Sequence, residues 1–188
     1  LSCGQKNYFL RIFDCLKSLD RLKKYPNIKL MIIGPMDKND RVLYYKMIQD
    51  LNLEDRIIYY PWKDISLLPS YLTLVDLCLS PLEKSEQHDT TYANKIFQYM
   101  LFEKPTLLSD VLPQKNLVEN TKCGELHIAN DHIDLSNKIE QMYLNQTQFK
   151  QYGQNGKKAI LDQYNAEYCV QNILEIYNQL FINLENNT

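Results

Sequence analysis

Short, unbroken apolar runs alternate along this chain with longer segments whose apolar residues recur every three or four positions, and that alternation limits the fold more than any other feature. "IKLMIIG" (28–34), "RIIYY" (56–60), "VDLCLSP" (75–81), "PTLLS" (105–109) and "GELHIA" (124–129) are too short for helices and lie against Gly, Pro or Ser. They read as strands, and a continuous run such as 28–34 indicates a strand covered on both faces. Residues 7–24 place Tyr8, Phe9, Ile12, Phe13, Leu16, Leu19 and Leu22 on one helical stripe, and 38–51 point Val42, Leu43, Met47, Ile48 and Leu51 inward. Shorter helices are expected around 65–73, 92–103 and 113–120, with three more at 132–145, 147–162 and 165–184. Strand–helix–strand repetition implies a parallel sheet with helical crossovers. No linker-like stretch or internal repeat interrupts it. The expectation is one α/β domain over residues 1–188, a Rossmann-like parallel sheet flanked by helices, with a helical C-terminal extension.

Composition narrows the function classes. The chain carries 21 Lys and Arg against 23 Asp and Glu, a formal charge of −2. That supplies no global field for nucleic acid, which is not an expected partner. No apolar run is long enough to span a bilayer. The five cysteines, at 3, 15, 78, 123 and 169, are never two to four residues apart, which argues against a zinc ribbon or redox pair. Cys78 and Cys169 fall in apolar segments and read as buried, reduced thiols, pointing to the cytoplasm. His88, His127 and His132 make no spaced metal set, so no metal is expected. Only His88 is placed in a site; His127 reads as a satisfied strand residue and His132 as a surface one. Five glycines form neither a Walker loop nor a Gly-x-Gly-x-x-Gly turn, leaving helix ends as the means of holding a phosphate.

Ligands of open parallel sheets bind at the carboxyl ends of the strands. Three loops leave that edge: Gly34-Pro35-Met36, Ser80 to Asn94, and Ser109 to Pro113. The second is the richest, with His88, Asp89, Thr90 and Thr91 leading into the apolar helix that follows. The first amides of a helix lack intrahelical partners and sit at the positive end of its dipole, so they can hold a phosphate. Asp89, Thr90 or Thr91 could equally cap those amides. Lys95 can extend to solvent or add charge to a bound phosphate. Gln98, one turn on, needs a polar partner in the core or on a ligand. "LSCGQKN" at the start, with Gly4 before Lys6 and Asn7, is a second candidate anion turn. Tyr59, Tyr60 and Trp62 could cover a base or sugar, although filling space between sheet and helix serves most aromatics.

"IKLMIIG", "VDLCLSP", "ANKIFQYMLFEKPTLLSD" and "CGELHI", in this order and at these intervals, resemble the C-terminal domain of retaining glycosyltransferases of the GT-B fold, family 4 in particular. That family's core pattern contains an Asn-Lys-hydrophobic-Phe-Glu-Tyr-Met helix, then Pro and a strand ending in Ser-Asp. The resemblance implies one half of a GT-B fold that binds a nucleotide-diphosphate sugar and transfers its sugar, of hexose type, with retention and without metal. It implies that Lys6 contacts the donor diphosphate, aided by backbone around Thr91, Tyr92 and Asn94, with Gly34 and Lys95 nearby. The family's two glutamates, with seven residues between them, fall on Thr90 and Gln98 here. Gln98 would then meet the ribose hydroxyls, and Thr90, with His88 and Asp89, the donor sugar. Glu103 stands where the family usually has Gly.

The family's arginine ahead of the lysine would fall just before Leu1, so the expectation is a donor-binding fragment, inactive alone. Its acceptor, a glycan or lipid-linked saccharide, would bind an N-terminal domain outside this chain. Polysaccharide synthesis in the cytoplasm, at the inner face of a membrane with peripheral association, fits such a protein. A GT-B nucleotide-sugar epimerase and a non-catalytic flavodoxin-like binding domain are the alternatives.

Overall fold

The computed structural model describes residues 8–61 and 64–185; Lys6 and Trp62 lie outside them. Helix α1 (Tyr8–Arg21) leads to strand β1 (Leu30–Ile33), helix α2 (Lys38–Asp50) and strand β2 (Ile57–Tyr60). A turn and helix α3 (Leu68–Thr73) precede β3 (Cys78–Ser80), which is followed by α4 (Glu86–Thr90), α5 (Asn94–Leu101) and β4 (Thr106–Ser109). Then come α6 (Leu112–Thr121), β5 (Gly124–His127), α7 (His132–Leu144), α8 (Phe149–Asp162) and α9 (Ala166–Glu185).

All strand pairs are parallel, and helices flank them, as the alternation predicts. Expected as one sheet, the strands form two hydrogen-bonded groups among the described residues, β1–β2 and β3–β4–β5. Helix α1 bridges the groups. Its Leu16 and Leu19 pack with Leu30 and Ile32 of β1, while Cys15 packs with Leu77 and Leu79 beside β3. Strand β4 is central to its sheet and all four of its residues are fully buried. Strand β1 is only half-buried, with Ile33 exposed, so the covering expected on both faces applies to β4 instead.

Several inward faces differ from the expectation. In α2, Tyr44 and Ile48 are buried, whereas Val42 is 70% and Leu43 54% exposed. Tyr44 and Ile48, with the expected Met47 and Leu51 packed beside them, make the inward stripe, and the Tyr44 ring lies against Tyr59. Arg56, expected in a strand, ends a 3₁₀ turn and is 9% exposed. Its guanidinium donates to Leu19 O at 3.0 Å and to Ile28 O at 2.9 and 3.0 Å, closing the α1–β1 connection. Cys169 is exposed, not buried. It lies on α9, which also exposes Val170, Ile173, Leu174, Tyr177, Leu180 and Phe181. Among the described residues no helix is long and apolar enough to cross a membrane.

The C-terminal helices brace what carries the site. Ser18 Oγ donates to His132 O at 2.9 Å and Arg21 Nε to Ser136 Oγ at 3.0 Å, holding α1 on α7. Helix α8 lies on α5, with Gly156 against Met100. Helix α5 ends on Glu103, which adopts φ +55, and Lys104 N reaches back to Tyr99 O at 2.9 Å. This left-handed position after a helix is one where glycine is preferred, which accounts for the glycine usual there in the resembling family. Gly153 sits directly on the Glu103 carbonyl, and any Cβ there would overlap its oxygen.

Gly153→Ala is therefore expected to destabilise the chain by more than about 1 kcal/mol, as overpacking against backbone does, read by denaturant unfolding. Glu103→Gly should stay within about 1 kcal/mol of wild type, because relief of the left-handed strain opposes added unfolded-state freedom and loss of the exposed Lys157 pair. A harmless Gly153→Ala would mean that α8 does not seat on this turn.

Candidate active site

The segment from Ser80 to Asn94 is built around a buried imidazole. Ser85 is extended and caps α4, its Oγ accepting from the His88 amide. His88 is 9% exposed. Its Nδ1 lies 3.0 Å from Glu83 O and 2.8 Å from Ser85 Oγ, and its Nε2 lies 2.7 Å from Arg11 Nη2. A carbonyl can only accept and a guanidinium can only donate, so the proton resides on Nδ1 and Nε2 accepts from Arg11. Both ring nitrogens are thus engaged within the protein. Glu83 Oε1 lies 3.9 Å from the same Arg11 nitrogen.

The polar residues that follow His88 turn away from α5. Thr90 Oγ donates to Glu86 O at 2.9 Å, and Thr91 Oγ to Gln87 O at 2.7 Å, both back into α4. Asp89 Oδ1 accepts from the Leu112 amide at 3.1 Å, at the start of α6. The residue that caps α5 is Ala93, without a side-chain bond, so none of Asp89, Thr90 or Thr91 fills the capping role open to them in the sequence. Asn94, the first residue of α5, is exposed. The ring of Tyr92 lies 5.5 Å from Phe97, which stacks on Tyr164 at 5.7 Å.

Lys95 is half-buried. Burial pushes its ammonium down to about 8; Cys15 and Cys78 oppose that shift and the Arg11 cation adds to it. Gln98 is half-buried on the same helix. Gly34, where β1 ends, has φ +144 with open space where a Cβ would lie. Its amide donates to Tyr60 O at 3.0 Å, and Tyr59 Oη donates to its carbonyl at 3.2 Å. His88, Asp89 and Thr90 thus end α4, Thr91 to Ala93 connect it to α5, and Asn94, Lys95 and Gln98 lie on α5.

Arg11 escaped the sequence reading because it sits among apolar helix residues. It shares the inward stripe of Cys15, Ser18 and Leu22, and a cation on such a stripe needs a partner. Asp110 was also missed. Its Oδ1 accepts from Ala129 N at 2.8 Å and its Oδ2 from Lys84 at 2.9 Å, tying three loops together. Burial works against that carboxylate, yet these bonds hold it below the usual range. His127 is buried at the end of β5, its Nδ1 2.8 Å from Ile128 O. Burial lowers its pKa.

An open groove of about 630 Å³ lies between α1 and α2 and reaches this segment at Glu83; Lys17, Lys46, Asp14 and Asp50 also line it. Its mixed charge matches no single ligand class, and none of the sequence candidates lines it. Among the described residues, no three His, Cys, Asp or Glu side chains gather as a metal site.

The family model of glycosyl transferases group 1 matches residues 5–159, and the chain belongs to that family. It is 25% identical, over 162 residues, to the poly(ribitol-phosphate) alpha-N-acetylglucosaminyltransferase of Staphylococcus aureus (strain COL), a match covering 84% of this chain and 30% of that protein. Among solved structures, it is similar to the C-terminal domain of a glycosyl transferase group 1 family protein (LpcC) from Francisella tularensis. That match has a TM-score of 0.69 at 15% identity, over 81% of this chain and 78% of the other. Anabaena Alr3699/HepE in complex with UDP gives 0.77 at 17% identity, over 89% of this chain and 44% of HepE. Identities this low establish the fold alone, that of GT-B glycosyltransferase domains. The chain spans less than half the length of the curated relative and of HepE.

The lysine offers a test of this local environment. Its folded pKa of about 8 lies below the ordinary 10.5, so between these values the unfolded chain holds a proton that the folded chain gives up. Its penalty is full below about pH 8 and shrinks as pH rises towards 10.5. Lys95→Met should therefore be more stable than wild type at pH 7, with a smaller advantage at pH 10. An advantage constant with pH would show that the ammonium is not desolvated.

Proposed function

We propose that this member of the glycosyl transferases group 1 family is the nucleotide-sugar-binding, C-terminal half of a retaining glycosyltransferase. It moves a hexose-type sugar from a nucleoside-diphosphate donor to a glycan or lipid-linked acceptor. The observation that carries the reading is the first turn of α5: its cap residue, Ala93, makes no side-chain bond to the helix amides, and a cation follows at Lys95. As the glycosidic bond breaks, charge accumulates on the departing diphosphate. Fixed amide dipoles and a lysine stabilise that charge without a metal.

Lys6 and the amides beginning at Asn94 take the diphosphate in this account. Gln98 meets the ribose hydroxyls as a neutral hydrogen-bonding group, and Thr90 stands nearest the sugar. Gly34, with open space beside it, leaves room for the nucleotide at the end of β1. His88 shapes the turn through Arg11. The UDP in the HepE complex supports a nucleotide diphosphate as the ligand class. The poly(ribitol-phosphate) in the name of the S. aureus relative supports polysaccharide synthesis as the setting; the cytoplasm, at a membrane face, is the location that goes with this proposal. The acceptor binds a second domain of the full-length protein, so the isolated chain binds donor without transferring sugar.

Thermal unfolding with UDP, GDP and their sugars tests the reading. At a hundredfold excess over Kd, binding stabilises by about 2.7 kcal/mol, which for a chain of this size raises Tm by roughly 5–10 °C. One nucleotide diphosphate is expected to do this and uridine alone to do much less. No response to any of the panel would favour a non-catalytic binding domain. Product analysis of the full-length protein with and without acceptor separates transfer from epimerisation.

A further inference from the structure

The first turn of α6 holds the candidate loop at both of its ends. At the root, the side chains of Ser80, Ser109 and Gln114 are all fully buried. The Leu82 amide donates to Ser109 Oγ at 2.9 Å, Ser109 Oγ donates to Gln114 Oε1 at 3.1 Å, and Gln114 Nε2 donates to Ser80 Oγ at 2.9 Å. Ser109 Oγ accepts the Leu82 amide and shares its own proton between the Gln114 oxygen and, at 3.5 Å, Ser80 O, while the Gln114 NH₂ serves Ser80 Oγ. This network ties the ends of β3 and β4 to the third residue of α6.

At the far end, Asp89 Oδ1 accepts the amide of Leu112, the first residue of α6. The cap residue Val111 has no side-chain acceptor for it, and Pro113 has no amide to offer. A carboxylate at this end also meets the positive pole of the helix dipole. The loop between these points runs directly into Ala93 and the amides of α5.

We propose that the first turn of α6 is a two-point clamp on residues 81–93, with Gln114 and Asp89 as positioning residues for the donor site. Asp89 acts on Leu112 and not on the ligand. The role as donor-site positioners rests on the nucleotide-sugar reading above; the clamp itself rests only on the geometry. A displacement of about 1 Å in groups aligned on a reacting centre can cost on the order of a hundredfold. Slack at either tether is therefore read at the α5 amides.

The test uses this chain, with UDP as the probe, and follows affinity by calorimetry and amide hydrogen exchange by NMR. Asp89→Ala and Gln114→Met should each weaken UDP binding by roughly tenfold or more and speed exchange, at Leu112 in the first variant and at Leu82 in the second. Asp89→Asn keeps the accepting oxygen and should restore both the slow Leu112 amide and the UDP affinity. Equal loss of affinity in the Asn and Ala variants, with Leu112 exchange unchanged, would place the Asp89 charge on the ligand and overturn the clamp. Unchanged exchange and affinity in both Asp89→Ala and Gln114→Met would overturn it too. Should Gln114→Met not fold, the Asp89 pair still decides. A wild-type chain that takes up no UDP removes the donor-site role, while exchange at Leu112 and Leu82 independently shows whether the tethers exist.

Discussion

A helix that begins after an alanine has no side-chain acceptor at its own cap, and the architecture around α5 follows from that constraint. Unpaired amides at a helix start cost free energy when water is excluded, so they face solvent or a ligand, or another segment must supply an acceptor. Asp89 Oδ1 bonds α6 and the Thr90 and Thr91 hydroxyls donate into α4, and no side chain caps α5. The positive pole of α5 is left accessible at the carboxyl edge of the sheet. In the function proposed above, that edge is where the donor diphosphate binds.

Keeping such a pole open demands rigidity around it. The Arg11–His88 contact, the Ser80–Ser109–Gln114 network and the Asp110 bonds to Ala129 and Lys84 all lie at the ends of β3, β4 and β5. Each replaces water around a loop with a fixed protein partner. A buried network such as Ser80–Ser109–Gln114 is costly if half-satisfied and rigid if complete. The fully buried β4 anchors the middle of the sheet, and α8 presses α5 from outside through Gly153, where no Cβ would fit, and Gly156, which lies close against Met100.

The sequence disclosed the elements whose signal is local. The run Thr106–Leu108 reads as a covered strand and is one, and the helix ending before Pro105 lies within about two residues of its expected bounds. Helix α4 falls inside the loop expected from Ser80 to Asn94, because five polar residues carry no apolar periodicity and only His88 is buried. The α2 face differs from the expectation at Tyr44, Val42 and Leu43 because tyrosine counts as neither clearly inward nor outward. The candidate residues of the 88–98 segment were legible as a group, yet their partners were not. Asp89 bonds a residue 23 positions away and His88 one 77 away, and no local pattern announces such pairings.

The central claim is that the backbone start of α5 grips a diphosphate, and amide chemical shifts during nucleotide titration test it most directly. Titrating the ¹⁵N-labelled chain with UDP should move the amides of Asn94 and Lys95 more than any on α2 or α7, whereas uridine, which lacks the phosphates, should leave them nearly in place. If UDP instead perturbs the groove between α1 and α2, or shifts the α5 amides no more than uridine does, the account is contradicted.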